Sequence, residues 1–152
     1  MKQTTFEEFV ELSRQGTFVP VCREIMADLL TPVSAFLKIA EHADHACLLE
    51  SVEGGEHVGR YSFLGKDPFL VLRAEGAQTV VERGGEVRTV EEPFLDVLRR
   101  VMSEYRSPYV PDLPRFTGGA VGFFGYDAAP WFEPAVPVAD AAPLAGEQAA
   151  FM

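Results

Sequence analysis

Hydrophobic residues recur at intervals of three and four in three segments of the chain, which is the spacing of helices that pack one face on a core. Thr5 and Glu8 form a capping-box pattern before the first segment, and Thr31 with Pro32 supplies an N-cap and a first helical residue for the second. Pro93 opens the third segment, which has the broadest apolar stripe. The predicted helices are residues 6–15, 32–43 and 93–105.

Runs of β-branched and aromatic residues bounded by glycine or proline predict the strands. Gly54-Gly55 and Gly84-Gly85 have the composition of tight hairpin turns. Pro20 makes its run an edge strand or the end of a strand, because proline cannot donate to a ladder. The predicted strands are 46–52, 58–64, 69–74, 78–82 and 86–90 in one meander, with 17–21 at an edge and 116–127 as a buried strand with close backbone neighbours. The fold class is therefore α/β of the α+β type, an antiparallel-rich meander covered by helices.

The periodicity disappears after residue 127, where alanine, proline and acidic residues predominate. An apolar run begins again at residues 148–152. This run predicts the start of another strand. We also expect residues 1–152 to be one part of a longer protein, with sheet edges that the longer protein covers.

The composition and net charge of the chain limit the classes of function that it could have. The chain has 152 residues, 47% of them apolar, which is enough for a domain with a core. Its net charge of −10 disfavours nucleic acid and anionic membranes as partners. No apolar run approaches the roughly 20 residues of a membrane span, and the first residues, MKQTTFEEF, lack the apolar segment of a secretion signal. We therefore expect a cytoplasmic protein.

The predicted hairpin of residues 48–65 places polar side chains among apolar ones. It carries Glu50, Ser51 and Arg60, a carboxylate, a hydroxyl and a guanidinium. These three groups together could bind a small polar ligand. On the residues alone, the alternative is a surface charge pair between Glu50 and Arg60 worth about 0.2–1 kcal/mol.

The predicted turn fixes which hairpin side chains share a face. With a two-residue turn at the double glycine, Ser51 lies opposite Val58 and Leu49 lies opposite Arg60. Side-chain alternation then puts these four residues on one face of the sheet, and Glu50 on the other.

Two other stretches resemble functional motifs without having the residues that such motifs need. The glycine-rich residues 118–127 lack the Gly-Lys-Ser/Thr ending of a phosphate-binding loop. His42 and His45 lie at the end of the second predicted helix, but no third and fourth ligand is evident nearby. We therefore predict neither a phosphate loop nor a metal site.

Three motifs in order along the chain resemble the N-terminal region of anthranilate synthase component I. They are LLES at 48–51, GRYSFLG at 59–65 and GGAVGFFGYD at 118–127. The resemblance spans about residues 20–127. Aminodeoxychorismate synthase component I shares much of the pattern, and LLES favours the anthranilate enzyme.

The resemblance implies a carbon–oxygen lyase of tryptophan biosynthesis. The large subunit of the family converts chorismate to anthranilate with Mg²⁺ and with ammonia from a glutamine amidotransferase subunit, and its N-terminal region carries the tryptophan feedback site. The chorismate and magnesium residues of the family lie in a C-terminal part to which nothing in this chain corresponds. We therefore expect the chain to be a regulatory region without catalytic residues, without a bound cofactor or metal, and inactive alone.

The resemblance also implies the residues of a tryptophan site. Glu50 and Ser51 hold the position of LLES that the family uses for tryptophan, and Pro32 aligns with a proline that borders the pocket. Leu49 and Arg60 complete the expected set, since the ligand needs an apolar slot and donors for its carboxylate. Because Glu50 and Ser51 point to opposite faces, we expect Ser51 and the adjacent backbone to contact tryptophan, and Glu50 to fix the strand from behind.

Two alternative functions stay open. One is the same region of aminodeoxychorismate synthase component I, in folate biosynthesis. The other is an amino-acid-binding regulator without catalysis. The sequence downstream of Met152 would separate the regulator from the enzymes, since an enzyme continues for about two more domains.

Overall fold

The structure, a computed structural model, describes residues 3–50, 61–111, 113–114, 116–133, 135–137 and 147–152. The chain divides into two compact units. The hairpin unit comprises Met1–Pro68 and Ser103–Gly119, and the sheet unit comprises Phe69–Met102 and Ala120–Met152. Antiparallel sheets with a few helices confirm the predicted α+β class.

Both helices of the hairpin unit begin at the predicted caps. The Thr5 backbone N–H donates to the Glu8 carboxylate at 2.8 Å, and the Glu8 N–H donates to the Thr5 hydroxyl at 3.2 Å. Thr31 and Ser34 make the same reciprocal pair at 2.9 and 3.1 Å. Each pair satisfies two N–H groups that a helix start otherwise leaves unpaired. The helices are α1, Phe6–Ser13, and α2, Pro32–Ala40, each shorter at its end than predicted.

The hairpin unit contains a two-stranded antiparallel sheet whose register differs from the predicted one. Strand β1, Ala46–Glu50, pairs with β2, Ser62–Lys66, so that Leu49 lies opposite Phe63 and Glu50 opposite Ser62. The prediction that Leu49 lies opposite Arg60 is therefore wrong. Residues 51–61, eleven in all, connect Glu50 with Ser62, the last described pair of the two strands. The predicted two-residue turn would have paired the strands in a register that differs from the observed one by three positions. The turn itself lies outside the described residues.

Residues 17–21 form neither the edge strand nor the strand end that was predicted. The N–H groups of Thr17 and Phe18 both donate to the carbonyl of Arg106, at 2.9 and 3.1 Å. The Thr17 hydroxyl donates to the carbonyl of Glu104 at 2.7 Å, and the Phe18 ring meets the Tyr105 ring edge-on at 5.8 Å. The segment is thus held by contacts with the chain around residues 104–106 and not by a ladder.

The sheet unit contains a five-stranded sheet in the order β5-β4-β3-β7-β6, antiparallel throughout. The expectation of one meander over residues 46–90 is therefore wrong, since β1 and β2 form a separate sheet. Gly84 and Gly85 have φ of +59° and +83°, the backbone that the predicted tight turn needs and that glycine adopts without strain. The five strands are β3, Val71–Glu75; β4, Gln78–Arg83; β5, Glu86–Val90; β6, Gly122–Phe124; and β7, Ala149–Phe151.

The core of the sheet unit lies between this sheet and helix α3, Phe94–Glu104. Phe94 and Val97 on the predicted stripe are buried and pack with Leu72 of β3. Thr79 is also fully buried, and its hydroxyl donates to the carbonyl of Glu92 at 2.8 Å. The stripe on α3 is therefore core, as its spacing predicted.

The glycine-rich stretch at 116–127 is only partly as predicted. Within its described residues, the strand is limited to β6, which is an edge of the sheet, and Phe123 is 51% exposed. The predicted burial is therefore wrong. The predicted close neighbour is present, because a Cβ on Gly122 would collide with the carbonyl of Ala150 and lie 2.7 Å from the Cα of Phe151. A 3-10 helix, Tyr126–Trp131, follows. The strand expected near the end of the chain is confirmed as β7.

Candidate functional site

The described residues of the LLES motif, 48–50, are the last three residues of strand β1. Glu50 is the last residue of β1, and Ser62, directly opposite, is the first residue of β2. The Ser62 hydroxyl donates a hydrogen bond to Oε1 of Glu50 at 3.3 Å. A carboxylate has about four lone-pair positions, so Glu50 keeps acceptor capacity after this bond.

The other face of the same strand end is apolar and aromatic. Leu49 is 42% exposed and lies opposite Phe63. The Phe63 ring meets the Phe116 ring edge-on at 5.3 Å and lies 6.2 Å from the Tyr61 ring. Such ring pairs hold one another in preferred geometries. The end of β1 therefore presents a polar pair on one face and an apolar surface on the other.

Helix α2 supports this sheet, since it packs against both β1 and β2. Pro32 is its first residue and is exposed. Proline suits this position because its fixed φ is helical and its missing N–H would have no partner in the first turn. Pro32 is thus linked to the motif through the packing of its helix on the strands.

The predicted site residues divide into two groups. Leu49 and Glu50 are neighbours at the end of β1, and Pro32 begins the helix that packs on that strand. Ser51 and Arg60 lie outside the described residues, and their roles stay predictions.

Sequence reasoning missed Ser62 as a partner of Glu50. The short turn that was predicted would place Glu50 on the same face as Tyr61, whereas the observed register places it opposite Ser62. Because the side-chain period of a strand is two, a register error of an odd number of residues changes every cross-strand partner and its face. A correct length for the connection of residues 51–61 would have identified the pair.

Two further properties of the described residues bear on the site. They contain no group of three or more His, Cys, Asp or Glu side chains placed to hold a metal ion. None of the helices in the described part of the chain is long and apolar enough to cross a membrane.

Comparison with known proteins finds no matching family model but clear similarity to individual synthase subunits. The Synechocystis sp. protein named anthranilate synthase component 1 is 47% identical over 139 residues, 91% of this chain and 27% of that protein. The Acetivibrio thermocellus protein of the same name is 41% identical over 139 residues, covering 90% of this chain and 28% of its own length. That of Neisseria meningitidis serogroup B is 39% identical over 132 residues, covering 84% and 26%.

Over most of its residues the chain is therefore homologous to part of a subunit of a multi-component synthase. The subunit is anthranilate synthase component 1, which confirms the family that the three motifs resemble. The chain spans about a quarter of the length of the curated relatives it matches.

Proposed function

We propose that the chain is the regulatory region of an anthranilate synthase large subunit and that the end of its first sheet forms half of a tryptophan feedback site. One observation carries this proposal. Strand β1 is half-buried over its first three residues and exposed at Leu49 and Glu50, so the LLES motif is accessible at the end that opens toward residue 51.

The two faces of β1 support different roles for its last residues. The face of Leu49 and Phe63 offers apolar and aromatic surface for an indole ring. Ser51 follows Glu50 in the chain, and we propose that its hydroxyl binds the polar end of the ligand together with the adjacent backbone. Glu50 points to the face of Ser62 and acts on the ligand indirectly. Arg60 is proposed as a donor for the ligand carboxylate.

The rest of the proposed enzyme is supported by the names of the relatives and by the family resemblance of the three motifs. They are named component 1, which supports a second component, and we propose that this is a glutamine amidotransferase that delivers ammonia. The whole subunit would convert chorismate to anthranilate with Mg²⁺ in the cytoplasm. The chain's own residues would regulate this reaction without taking part in it, since the resemblance implies that the chorismate and magnesium residues lie in a C-terminal part to which this chain does not correspond.

Substitution of Ser51 in the complete subunit tests the proposal. Anthranilate formation is followed by its fluorescence while the tryptophan concentration is raised, with amidotransferase and glutamine present. We expect the parent enzyme to be inhibited, and the Ser51→Ala enzyme to produce anthranilate without inhibition, because the hydroxyl that binds the effector is lost. Ser13→Ala is the matched control, since Ser13 ends α1 and its hydroxyl donates to the carbonyl of Val10 at 2.8 Å.

The results that would contradict the proposal are specific. If the parent enzyme is insensitive to tryptophan, the chain is not a tryptophan-regulated region. If the Ser51→Ala enzyme stays fully sensitive, the site is elsewhere in the enzyme.

A further inference from the structure

Six large apolar side chains between residues 25 and 37 of the hairpin unit are exposed. They belong to α2 and to the residues before it, and we call them the 25–37 surface: Ile25, Met26, Leu29, Leu30, Val33 and Leu37. Soluble proteins seldom leave so many large apolar side chains of one segment in water. We infer that the part of the synthase subunit outside residues 1–152 packs permanently on this surface.

The composition of α2 indicates that more than one of its sides needs cover. Seven of its nine residues, PVSAFLKIA, are apolar. The helix packs against β1 and β2, and its half-buried residues Phe36 and Ala40 lie one helical turn apart. Val33 and Leu37 also lie one turn apart, but they are exposed. Because a helix that is apolar all round is normally buried all round, this second stripe needs a partner.

The chemistry of the 25–37 surface favours an occupant that stays bound. Asp28 is the one charged residue between positions 25 and 37. Permanent protein interfaces are more apolar than interfaces that form and separate, so a surface with so little charge is typical of the permanent kind. A membrane is a poor occupant, because helices that lie on membranes carry basic residues beside their apolar face.

The length of the relatives identifies this occupant. The chain matches 27%, 28% and 26% of the three relatives described above, so about three quarters of such a subunit lies outside residues 1–152. In the complete subunit that remainder is covalently joined to the surface, which gives it a far higher effective concentration there than a second copy or another subunit has. The inference concerns packing within the subunit and does not depend on the tryptophan site proposed above.

Methionine oxidation in the complete, unsubstituted subunit tests the inference. Hydrogen peroxide converts accessible methionines to the sulfoxide, and peptide mass spectrometry follows each residue separately. The exposures within residues 1–152, 73% for Met26 and 40% for Met102, predict that Met26 is oxidised faster. In the complete subunit we expect the opposite order, with Met26 about tenfold slower than Met102, because a packed side chain reacts only during brief openings. In urea the two rates should be equal.

A matched pair of valines gives a second measurement on a different chemistry. Val33 and Val87 are 50% and 61% exposed, and Val87 lies on β5 between Glu86 and Arg88, charges that are typical of an edge strand facing solvent. In the complete subunit carrying both Val33→Cys and Val87→Cys, a maleimide should modify position 87 about tenfold faster than position 33. The two rates should become equal in urea, and the parent subunit gives the background from its own cysteines.

Each outcome has one consequence for the 25–37 surface. Equal maleimide rates at positions 33 and 87 of the folded subunit, or oxidation of Met26 ahead of Met102, would overturn the inference. Protection of position 33 that requires the second component, or that requires a high subunit concentration, would assign the surface to that component or to a second copy, and would overturn the inference as well. These experiments measure accessibility without tryptophan, so their failure is distinct from failure of the proposed feedback site.

Discussion

The two units of the chain differ in how they are stabilised. The sheet unit buries an apolar cluster between β3, β4 and α3, with Leu72 and Val97 each 1% exposed. Among the described residues of the hairpin unit, the single buried side chain is Pro108. The LLES motif therefore lies in the unit with the smaller core, which is where binding segments that must respond to a ligand tend to occur.

The hairpin unit relies on short polar links instead of a core. Reciprocal caps begin α1 and α2, and the Thr17 hydroxyl both donates to Glu104 and accepts from the N–H of Arg106. A two-stranded sheet is marginally stable alone, and here it is supported by α2. Each such link contributes about 1 kcal/mol, so single changes in this unit should have local effects.

The largest expected effect is truncation of the core of the sheet unit. Leu72→Ala should lower the free energy of unfolding by about 2–5 kcal/mol, since it removes buried methyl groups and leaves a cavity. The matched control is Leu37→Ala on α2, where the side chain is 65% exposed and the expected change is within about 0.5 kcal/mol. Urea unfolding followed by the fluorescence of Trp131, the one tryptophan of the chain, measures both.

Trp131 is suited to this measurement because its ring lies 6.0 Å from that of Phe94, in the same core. Equal costs for the two leucine variants would show that the contrast in burial has no energetic counterpart. In that case the comparison between the two units would have to be abandoned.

The second largest expected loss of stability comes from a substitution in β6, the edge strand of the same sheet. Gly122→Ala should cost about 3 kcal/mol, because the new methyl group meets the Ala150 carbonyl and the Phe151 backbone, which must move apart. Gly76→Ala is the control, since no atom lies within 4 Å of its added methyl group and the cost there comes from a φ of +62°, about 1–2 kcal/mol.

Backbone amide exchange distinguishes the two glycine variants. In Gly122→Ala the amides that link residue 121 to residue 152 should exchange faster, while those of β4 stay protected. If Gly122→Ala were no more costly than Gly76→Ala, the tight pairing of β6 with β7 would not contribute to stability.

Features that depend on residues close together in the sequence were predicted better than features that depend on distant parts of the chain. The capping box of Thr5 with Glu8 and the N-cap at Thr31 depend on residues within one helical turn, and both were predicted correctly. The type of turn at Gly84-Gly85 follows from the glycines themselves, and β5 was predicted at its observed bounds. Local causes therefore fixed the starting residues of α1, α2 and β5.

Features with distant causes were predicted less well. The partner of Glu50 depends on the length of the connection at 51–61, which a double glycine within it does not determine. The exposure of Phe123 depends on its position at a sheet edge, and β7 pairs with β3 across about eighty residues of chain. The placement of Leu49 and Glu50 on a strand was thus predicted, whereas the pairing of Glu50 with Ser62 became visible only with the observed register.

The smallest effect expected tests the hairpin unit itself. Thr31→Ala removes the hydroxyl that accepts from the Ser34 N–H at 3.1 Å, at a cost of about 1 kcal/mol. The Ala35 N–H, which donates to the Thr31 carbonyl at 2.9 Å in the first turn of α2, should exchange about fivefold faster as that turn opens more often. Thr31→Ser, which keeps the cap, should exchange at the parent rate, and the unfolding reported by Trp131 should not change in either variant. A shift of the Trp131 transition by the full 1 kcal/mol would mean that the α2 cap is coupled to the core of the sheet unit, and that the two units do not differ in the way their burial implies.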